Sequence, residues 1–351
     1  MKAGKTRTYR RPPLPPLPAP AGRNRVVGMS VVDVSDWYPD LLGPDFSALD
    51  IRLGPDPEGE TDIVATLVRY GTPVPGRTSV LWVHGMTDYF FHAHVAQAVA
   101  EAGFNFYALD LRKCGRSRRD GQRWHYSTDF RHYFPELTAS LDIIDAPVVP
   151  VAHSTGGLIV PLWADHLRRI NSERHARLAG IVLNSPWLDM MYPRAAVAVM
   201  RPVAGVLGRL LPAVKIPGGN LGTYGVSIHK DHHGDWDFNV TFKPVGGHHK
   251  YLGWLREVLR AQKLVHTDQV DVGVPVLTLC STASLLGRGY CEDSHCHDTV
   301  LDIEQIQRWA PHLGADVTVH PVERARHDVF LSRPEPLSEA LTTTIDWLRR
   351  R

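Results

Sequence analysis

The sequence predicts an α/β fold: a mostly parallel, doubly wound β-sheet with an inserted cap, or lid, subdomain. Short runs of apolar and β-branched residues alternate with helical patterns along most of the 351 residues. This alternation implies right-handed crossovers between parallel strands, so that helices cover both faces of one sheet. The alternation stops after Pro186 and resumes at Val274. We interpret the interruption as a cap over the carboxyl edge of the sheet.

Each element follows from a local pattern of apolar residues. Predicted strands cover residues 31–34, 62–68, 79–83, 104–110, 148–152, 178–184, 274–280 and 316–319. Predicted helices cover residues 92–102, 128–144, 158–169, 303–312 and 337–350. The predicted cap is rich in His, Gly and Pro and contains an apolar stretch over residues 195–211.

The predicted organisation has four segments. Residues 1–27 carry seven basic residues, six prolines and no acidic residue, a composition that predicts a disordered tail. Residues 28–189 form the first part of the α/β core, residues 190–255 form the cap, and residues 256–351 complete the core.

Composition and charge narrow the class of protein. A net charge of +2 gives no basis for a nucleic-acid partner. The uncharged window over residues 146–164 contains three prolines and two glycines, so it divides into a strand and a helix and is not a membrane span. Four cysteines are too few for a disulfide framework at this length. The sequence therefore predicts a reduced, cytoplasmic protein.

The strand over residues 148–152 leads into a turn that can carry chemistry. It ends in a small residue and is followed by His-Ser-Thr-Gly-Gly and then by a helical pattern. Strand, turn and helix in this order are typical of a nucleophile elbow, which lifts a serine hydroxyl above the sheet beside the amides of a helix N-terminus. Ser154 is therefore the candidate nucleophile, with Ala152 where the motif usually has its first glycine.

A serine nucleophile needs a base and an acid that orients the base. His327 follows the strand at residues 316–319 and is the candidate base. The acid is expected between the serine and the histidine, on a loop after the preceding strand. Asp298 fits this position best because it precedes the start of a helix. Asp293, in an insertion within the same loop, is the competing candidate.

The backbone amides of Met86 and Thr155 are the candidate oxyanion donors. Thr155 follows the nucleophile, and Met86 follows the His84-Gly85 pair at the end of a strand. His84 itself is given no catalytic role. This chemistry needs no metal or organic cofactor.

Two groups of histidines could suggest a metal site. One contains Cys291, His295, Cys296 and His297, and the other contains His229, His232, His233, His248 and His249. Neither group has a regular ligand spacing. We interpret the first as a surface insertion and the second as part of the cap, and we predict no metal.

Several motifs can be compared with a known family. They are Val83-His84-Gly85, Asp110-Leu111-Arg112-Lys113-Cys114-Gly115-Arg116-Ser117, His153-Ser154-Thr155-Gly156-Gly157, Asp298-Thr299-Val300 and His327-Asp328. Together they resemble the α/β-hydrolase superfamily, and within it the serine aminopeptidase and monoacylglycerol lipase-like branch, also described as lysophospholipase-like. The resemblance covers residues 60–350 and implies the α/β-hydrolase fold and a triad of Ser154, Asp298 and His327. Cys114 stands where that branch usually has a histidine.

The sequence favours a carboxylic-ester hydrolase as its function. Family resemblance and the apolar cap suggest monoacylglycerol- or lysophospholipid-like substrates, and the stretch over residues 195–211 could contact a lipid surface with one face. One alternative is an aminopeptidase, which would need a cap carboxylate such as Asp231 or Asp235 to hold a substrate ammonium. An acyltransferase and a non-catalytic binding protein are the others. An intact set of nucleophile, base and acid argues against the binding protein.

Overall fold

The computed structural model describes residues 5–10, 33–216 and 221–351. The strands are β1 (Arg7–Arg10), β2 (Asp33–Val34), β3 (Tyr38–Asp40), β4 (Gly43–Gly54), β5 (Ile63–Tyr70), β6 (Ser79–Val83), β7 (Asn105–Asp110), β8 (Val148–His153), β9 (Ile181–Asn184), β10 (Lys215–Ile216), β11 (Lys250–Tyr251), β12 (Val276–Ser281) and β13 (Asp316–Val322). The helices are α1 (Ala93–Glu101), α2 (Phe134–Ile143), α3 (Gly156–Ile170), α4 (Ser172–His175), α5 (Arg194–Leu210), α6 (Gly222–Ile228), α7 (Leu252–His266), α8 (Ile303–Trp309) and α9 (Pro334–Leu348).

Within these described residues, eleven strands form one sheet. Its order is β1-β13-β12-β9-β8-β6-β7-β5-β4-β2, and β3 pairs with β4. The centre, from β13 to β7, is parallel, whereas β1 and the β5–β4–β2 side pair antiparallel. The predicted mostly parallel sheet is confirmed, with antiparallel strands added at both edges.

The side chains on the two faces of the sheet belong to two separate hydrophobic cores. In β6, Leu81 and Val83 belong to one core and Val80 and Trp82 to the other, as the two-residue period of a strand requires. Helices α2, α3 and α7 pack on the first face, and α1 and α9 pack on the second. Burial on both faces explains why the central strands have nearly continuous apolar sequences.

The N-terminal segment differs in part from its prediction. Within residues 1–27, which the sequence predicts to be disordered, residues 7–10 form β1 and pair with β13, with Arg7 opposite Val319 and Arg10 opposite Asp316. Residues 1–4 and 11–27 lie outside the described residues. The backbone of β13 offers unpaired groups at the sheet edge, so a short segment can add there whatever its composition.

The long strand β4 is not among the strands predicted from the sequence. Phe46 and Ala48 belong to one hydrophobic core, and Leu49 and Ile51 belong to the other. The strand is therefore buried on both faces and lacks the simple apolar–polar alternation of a half-buried strand. The polar residues Asp45, Ser47 and Asp50 interrupt the continuous apolar run by which such a strand is recognised. The strand β4 ends at Gly54.

The segment between β9 and β12 holds α5, α6, α7 and the short β10–β11 ribbon. Helices α5 and α7 pack closely, since a Cβ on Gly208 would lie only 2.6 Å from the carbonyl oxygen of Leu252. The cap boundaries at 190 and 255 stay predictions, because α7 runs without a break from Leu252 to His266.

We expect Gly208→Ala to lower the free energy of unfolding by about 1–3 kcal/mol, because the new methyl group would clash with the α7 backbone. Gly205→Ala, in the same helix, is the matched control. Apart from its chain neighbours and the backbone of its own helix, no described residue has an atom within 4 Å of its Cβ position. Alanine should raise the free energy of unfolding by about 0.5–1 kcal/mol there. Urea unfolding measures both, and equal effects would contradict the packing of α5 on α7.

Candidate active site

Ser154 lies directly after β8, in the middle of the parallel part of the sheet. Its φ is 52°, in the left-handed region that residues with side chains rarely adopt. The Ser154 amide donates to the Asn184 carbonyl at 3.0 Å, and the Trp187 amide donates to the Ser154 carbonyl at 3.0 Å. The predicted strand, turn and helix are present, and backbone contacts from the end of β9 hold the turn.

Glycines surround this turn because there is no space for side chains. A Cβ on Gly156 would lie 2.5 Å from the His84 carbonyl oxygen, and one on Gly157 would lie 2.7 Å from Pro186 Cβ. A Cβ on Gly85 would lie 2.8 Å from Ser154 Cβ. The backbone after β6 therefore lies against the serine turn.

The structure brings Ser154, His327 and Asp298 into one chain of hydrogen bonds. His327 Nε2 lies 3.1 Å from Ser154 Oγ, and His327 Nδ1 lies 2.9 Å from Asp298 Oδ2. All three side chains are buried. The residues come from the ends of β8, β13 and β12, which meet at the same edge of the sheet because these strands are parallel.

Asp298 is oriented by the backbone that follows it. The amides of Val300 and Leu301 each donate to Asp298 Oδ1 at 2.8 Å. An ionised carboxylate only accepts hydrogen bonds, so Nδ1 of His327 carries the proton and Nε2 is free to accept one from Ser154. Asp293 is exposed, and none of its hydrogen bonds within the described part of the chain reaches His327.

Met86 and Thr155, whose amides are the candidate oxyanion donors, line the same cavity as Ser154. Among the hydrogen bonds of the described residues, neither amide is a donor. His84 binds the peptide group between Gly85 and Met86. The Leu111 amide donates to its Nε2 at 3.0 Å, so Nδ1 carries the proton and donates to the Gly85 carbonyl at 2.8 Å.

A second carboxylate network, centred on Asp328, was not predicted from the sequence. Asp328 lies 2.9 Å from His92 Nε2 and accepts from Asn184 Nδ2 at 2.7 Å. Burial alone would raise the pKa of Asp328, but His153, His92 and the hydrogen bond from Asn184 outweigh it and hold that pKa well below its usual range. The network ties the loop of His327 to the end of β9. In the sequence, the signal for this network was Asn184, a polar residue at the end of a predicted strand.

His153 separates the two networks. Its ring lies 4.8 Å from that of His327, between centroids. Burial lowers the pKa of His153 to about 4, although the negative charge of Asp328 opposes this shift. A neutral His153 adds no positive charge next to the His327 ring.

A cavity of about 210 Å³ opens above Ser154. Its wall is mainly apolar, and it includes four of the six methionines of the chain: Met86, Met190, Met191 and Met200. Methionine is flexible and polarisable, so such a wall adapts to apolar groups of different shape. Met190, Met191 and Met200 come from the segment between β9 and β12.

One end of the cavity is polar. Lys243 Nζ lies 2.9 Å from Asp88 Oδ1, and the ammonium also lies 5.4 Å from the centre of the Tyr224 ring. Asp88 Oδ2 and the Tyr224 hydroxyl are buried and have no hydrogen-bond partner among the described residues. Buried polar atoms nearly always have a hydrogen-bond partner, so these two atoms are exceptions.

Only one group of side chains in the described residues has the spacing of a metal site. Asp88, His153 and Asp328 offer ligand atoms within 4.8 Å of one another. Lys243 already binds Asp88 and His92 already binds Asp328, so a cation would have to displace both. In the first of the two groups named in the sequence analysis, His297 Nδ1 lies 2.7 Å from the Asp293 carbonyl oxygen.

Comparison with known proteins agrees with this architecture. Residues 75–333 match the family model described as serine aminopeptidase, S33. The chain belongs to the S33 serine aminopeptidase family. This confirms the predicted α/β-hydrolase membership and its serine aminopeptidase branch. No curated protein sequence matches the chain.

Solved structures related to this S33 family member share its fold. The monoacylglycerol lipase of Paleococcus ferrophilus is 22% identical with a TM-score of 0.59, over 82% of this chain and 98% of that chain. A soluble variant of monoglyceride lipase from Saccharomyces cerevisiae is 17% identical, with a TM-score of 0.58 over 82% and 92%. A thermostable carboxyl esterase from Bacillus coagulans is 16% identical, with a TM-score of 0.56 over 88% and 99%. In the described residues of this chain, no helix combines the length and apolarity of a membrane span.

The low pKa of His153 predicts how stability depends on pH. Its pKa is about 4 when folded, against 6.5 as its ordinary value, so unfolding takes up a proton between these pH values. The stability from neutral His153 is complete above pH 6.5 and is lost as the pH falls towards 4. In urea unfolding from pH 7 to 4, we expect the stability of His153→Phe to fall less steeply than that of the wild type. Identical slopes would contradict the low pKa.

Proposed function

We propose that this protein is a serine hydrolase that cleaves carboxylic esters through an acyl-enzyme. The observation that carries the proposal is the hydrogen-bond chain from Ser154 through His327 to Asp298 beneath an apolar cavity. Nucleophile, base and orienting acid at these distances are the requirement for acyl transfer by serine.

In the first half of the reaction, His327 Nε2 takes the proton of Ser154 Oγ as the oxygen attacks the ester carbonyl. The carbonyl oxygen becomes an oxyanion, which accepts hydrogen bonds from the amides of Met86 and Thr155. The tetrahedral intermediate then collapses, and the alcohol leaves with the proton of the His327 imidazolium. The acyl group stays on Ser154.

In the second half, water takes the place of the alcohol. His327 accepts a proton from the water as it attacks the acyl-enzyme, and returns a proton to Ser154 as the acid leaves. Asp298 keeps the proton of His327 on Nδ1 and stabilises the imidazolium that forms in each half. The neutral state of His153 supports the same step, because a second positive charge would oppose that imidazolium.

The cavity supports monoacylglycerol- or lysophospholipid-like esters as substrates. Its methionine-rich wall fits an acyl chain, and Asp88 Oδ2 and the Tyr224 hydroxyl can bind hydroxyl groups of a polar head group. The names of the monoacylglycerol lipases and of the carboxyl esterase with the same fold agree with ester substrates.

The aminopeptidase alternative needs a carboxylate that can hold a substrate ammonium. Asp231 and Asp235 are both exposed, and neither lines the cavity. Asp88 does line it, but its charge is already paired with Lys243. This pairing favours an uncharged head group over an ammonium. An acyltransferase would use the same residues with an alcohol in place of water.

Helix α5 supports peripheral contact with a lipid surface. Val199, Val206 and Leu210 are 66%, 60% and 70% exposed, while Met200 of the same helix lines the cavity. An exposed apolar face beside the cavity can lie in a lipid interface. Sedimentation with neutral-lipid vesicles tests this, and equal binding of the wild type and Val206→Asp would argue against it. A cytoplasmic location stays a prediction.

We expect a fluorophosphonate probe to label the wild type and not Ser154→Ala, because the probe reacts only with an activated serine. Asp298→Asn should lower kcat by about 10⁴-fold, the typical effect of losing the orienting acid. Asp293→Asn is the matched control and should keep kcat within about twofold, since surface substitutions usually have small effects. Unchanged labelling of Ser154→Ala would overturn the nucleophile.

We expect turnover of p-nitrophenyl esters of increasing acyl length and none of aminoacyl anilides. Tyr224→Phe removes only the unpartnered hydroxyl. It should raise KM for a glycerol monoester by about tenfold, the equivalent of about 1.4 kcal/mol for one hydrogen bond. The p-nitrophenyl ester of the same acid is the control substrate and should be unaffected. Faster cleavage of anilides than of esters would favour the peptidase.

A further inference from the structure

Thr87, the residue after Met86, has a strained backbone that the reaction steps above do not use. Its φ is 59°, an outlier for a β-branched residue. Such a conformation persists only where the surrounding structure holds it in place, and it is often found at functional sites. Thr87 is buried, with 2% of its surface exposed, so its neighbours determine its conformation.

Two histidine residues hold Thr87. The Thr87 amide donates to His125 Nδ1 at 3.3 Å, and Thr87 Oγ1 accepts from the backbone amide of His248 at 3.1 Å. The first contact comes from the loop between β7 and α2, and the second comes from the segment between α6 and β11. The loop after β6 that contains Met86 and Thr87 is therefore attached both to the core and to the cap segment.

The His125 ring is neutral, and its Nδ1 accepts a hydrogen bond. Burial, followed by the nearby rings of His248 and His84 and the charges of Lys243 and Lys250, holds the pKa of His125 well below its usual range. The ring is therefore neutral, and the bond from Thr87 assigns the acceptor role to Nδ1. Cys114 Sγ lies 3.1 Å from the same nitrogen. The His125 amide donates to the Lys113 carbonyl at 3.1 Å.

The peptide that carries the Met86 amide lies between these contacts and His84. His84 Nδ1 binds the Gly85 carbonyl at 2.8 Å. In a planar trans peptide the carbonyl and the following N–H point in opposite directions, so the Met86 N–H points away from His84. Fixing Gly85 on one side and Thr87 on the other leaves the Met86 amide one orientation.

The cap segment reaches this peptide through His248. The His248 ring stacks on Trp124 at 4.4 Å between centroids, with 10° between the planes. His248 Nε2 lies 3.1 Å from the Phe242 carbonyl oxygen. Trp124 directly precedes His125, so the cap segment and the loop that holds Thr87 form one packed unit.

We propose that His125 and Thr87 are positioning residues: they fix the Met86 amide as an oxyanion donor and couple it to the cap segment at His248. The proposal rests on the proposed function, because it assigns these residues to the oxyanion hole of that reaction. It implies that the hole is complete only while the cap segment is in contact with Thr87.

The first test compares His125→Leu with His125→Asn. His125 has a φ of 54°, which asparagine tolerates better than most residues. Asparagine can present Oδ1 where Nδ1 lies, whereas leucine cannot accept a hydrogen bond. The second test compares Thr87→Val, which removes the acceptor for His248, with Thr87→Ser, which keeps it. His94→Leu is the control, since His94 is a half-buried histidine that contacts Phe330 and Trp236. Circular dichroism confirms that each variant is folded.

We expect His125→Leu to lower kcat by about tenfold to hundredfold, less than or similar to the loss of a whole oxyanion donor. KM should stay within twofold, and the Ki of a trifluoromethyl ketone, which forms the tetrahedral adduct, should rise by the same factor as kcat falls. His125→Asn should keep most of the kcat that His125→Leu loses, and Thr87→Ser should keep most of the kcat that Thr87→Val loses. His94→Leu should show no loss of kcat. If His125→Leu does not fold, the Thr87 pair decides the question.

Equal damage from the leucine and asparagine variants, or a folded His125→Leu with normal kcat and Ki, would overturn the proposal. Hydrogen exchange of the peptide spanning residues 84–91 distinguishes failure of this proposal from failure of the proposed function. Exchange should be faster in His125→Leu than in the wild type whether or not the protein cleaves esters, and unchanged exchange would also overturn the positioning role of His125. A wild type that turns over no ester and binds no ketone would instead reject the proposed function.

Discussion

Ser154 has a left-handed backbone at the end of β8, and the geometry of the whole site depends on this one conformation. A φ of 52° is unfavourable for a residue with a side chain, so the neighbouring backbone must hold it. Bonds to Asn184 and Trp187 do this from the β9 side. The glycine at position 85 lets the chain after β6 approach Ser154 from the other side. The turn therefore exists only where three parallel strands end together.

Two buried carboxylates near this turn have different tasks. Asp298 binds the proposed base, His327, while Asp328 binds His92 and Asn184. Each carboxylate has several donors, as buried charge requires. Asp328 thereby fixes the loop that presents His327, and Asp298 fixes the ring. The orientation of the proposed base is thus determined twice, once through the backbone and once through the side chain.

The segment between β9 and β12 contributes to the site in two ways. Its methionines form much of the cavity wall above Ser154, and His248 contacts the strained residue Thr87. The same segment would therefore influence both which substrate fits and how well the proposed oxyanion hole is arranged. Its exposed α5 side chains extend the apolar surface beyond the cavity.

The sequence by itself determined the central strands, the serine turn and the chain order of Ser154, Asp298 and His327. These features are local: apolar periods, small residues around a tight turn, and polar residues at strand ends are visible along the chain. It did not reveal strand β1, the Asp328 network or the contacts of Thr87 with His125 and His248. Only the tertiary structure decided them, because they join residues far apart in the sequence. Partners of that kind leave no local pattern, and only the strand order and cap packing bring them within hydrogen-bonding distance.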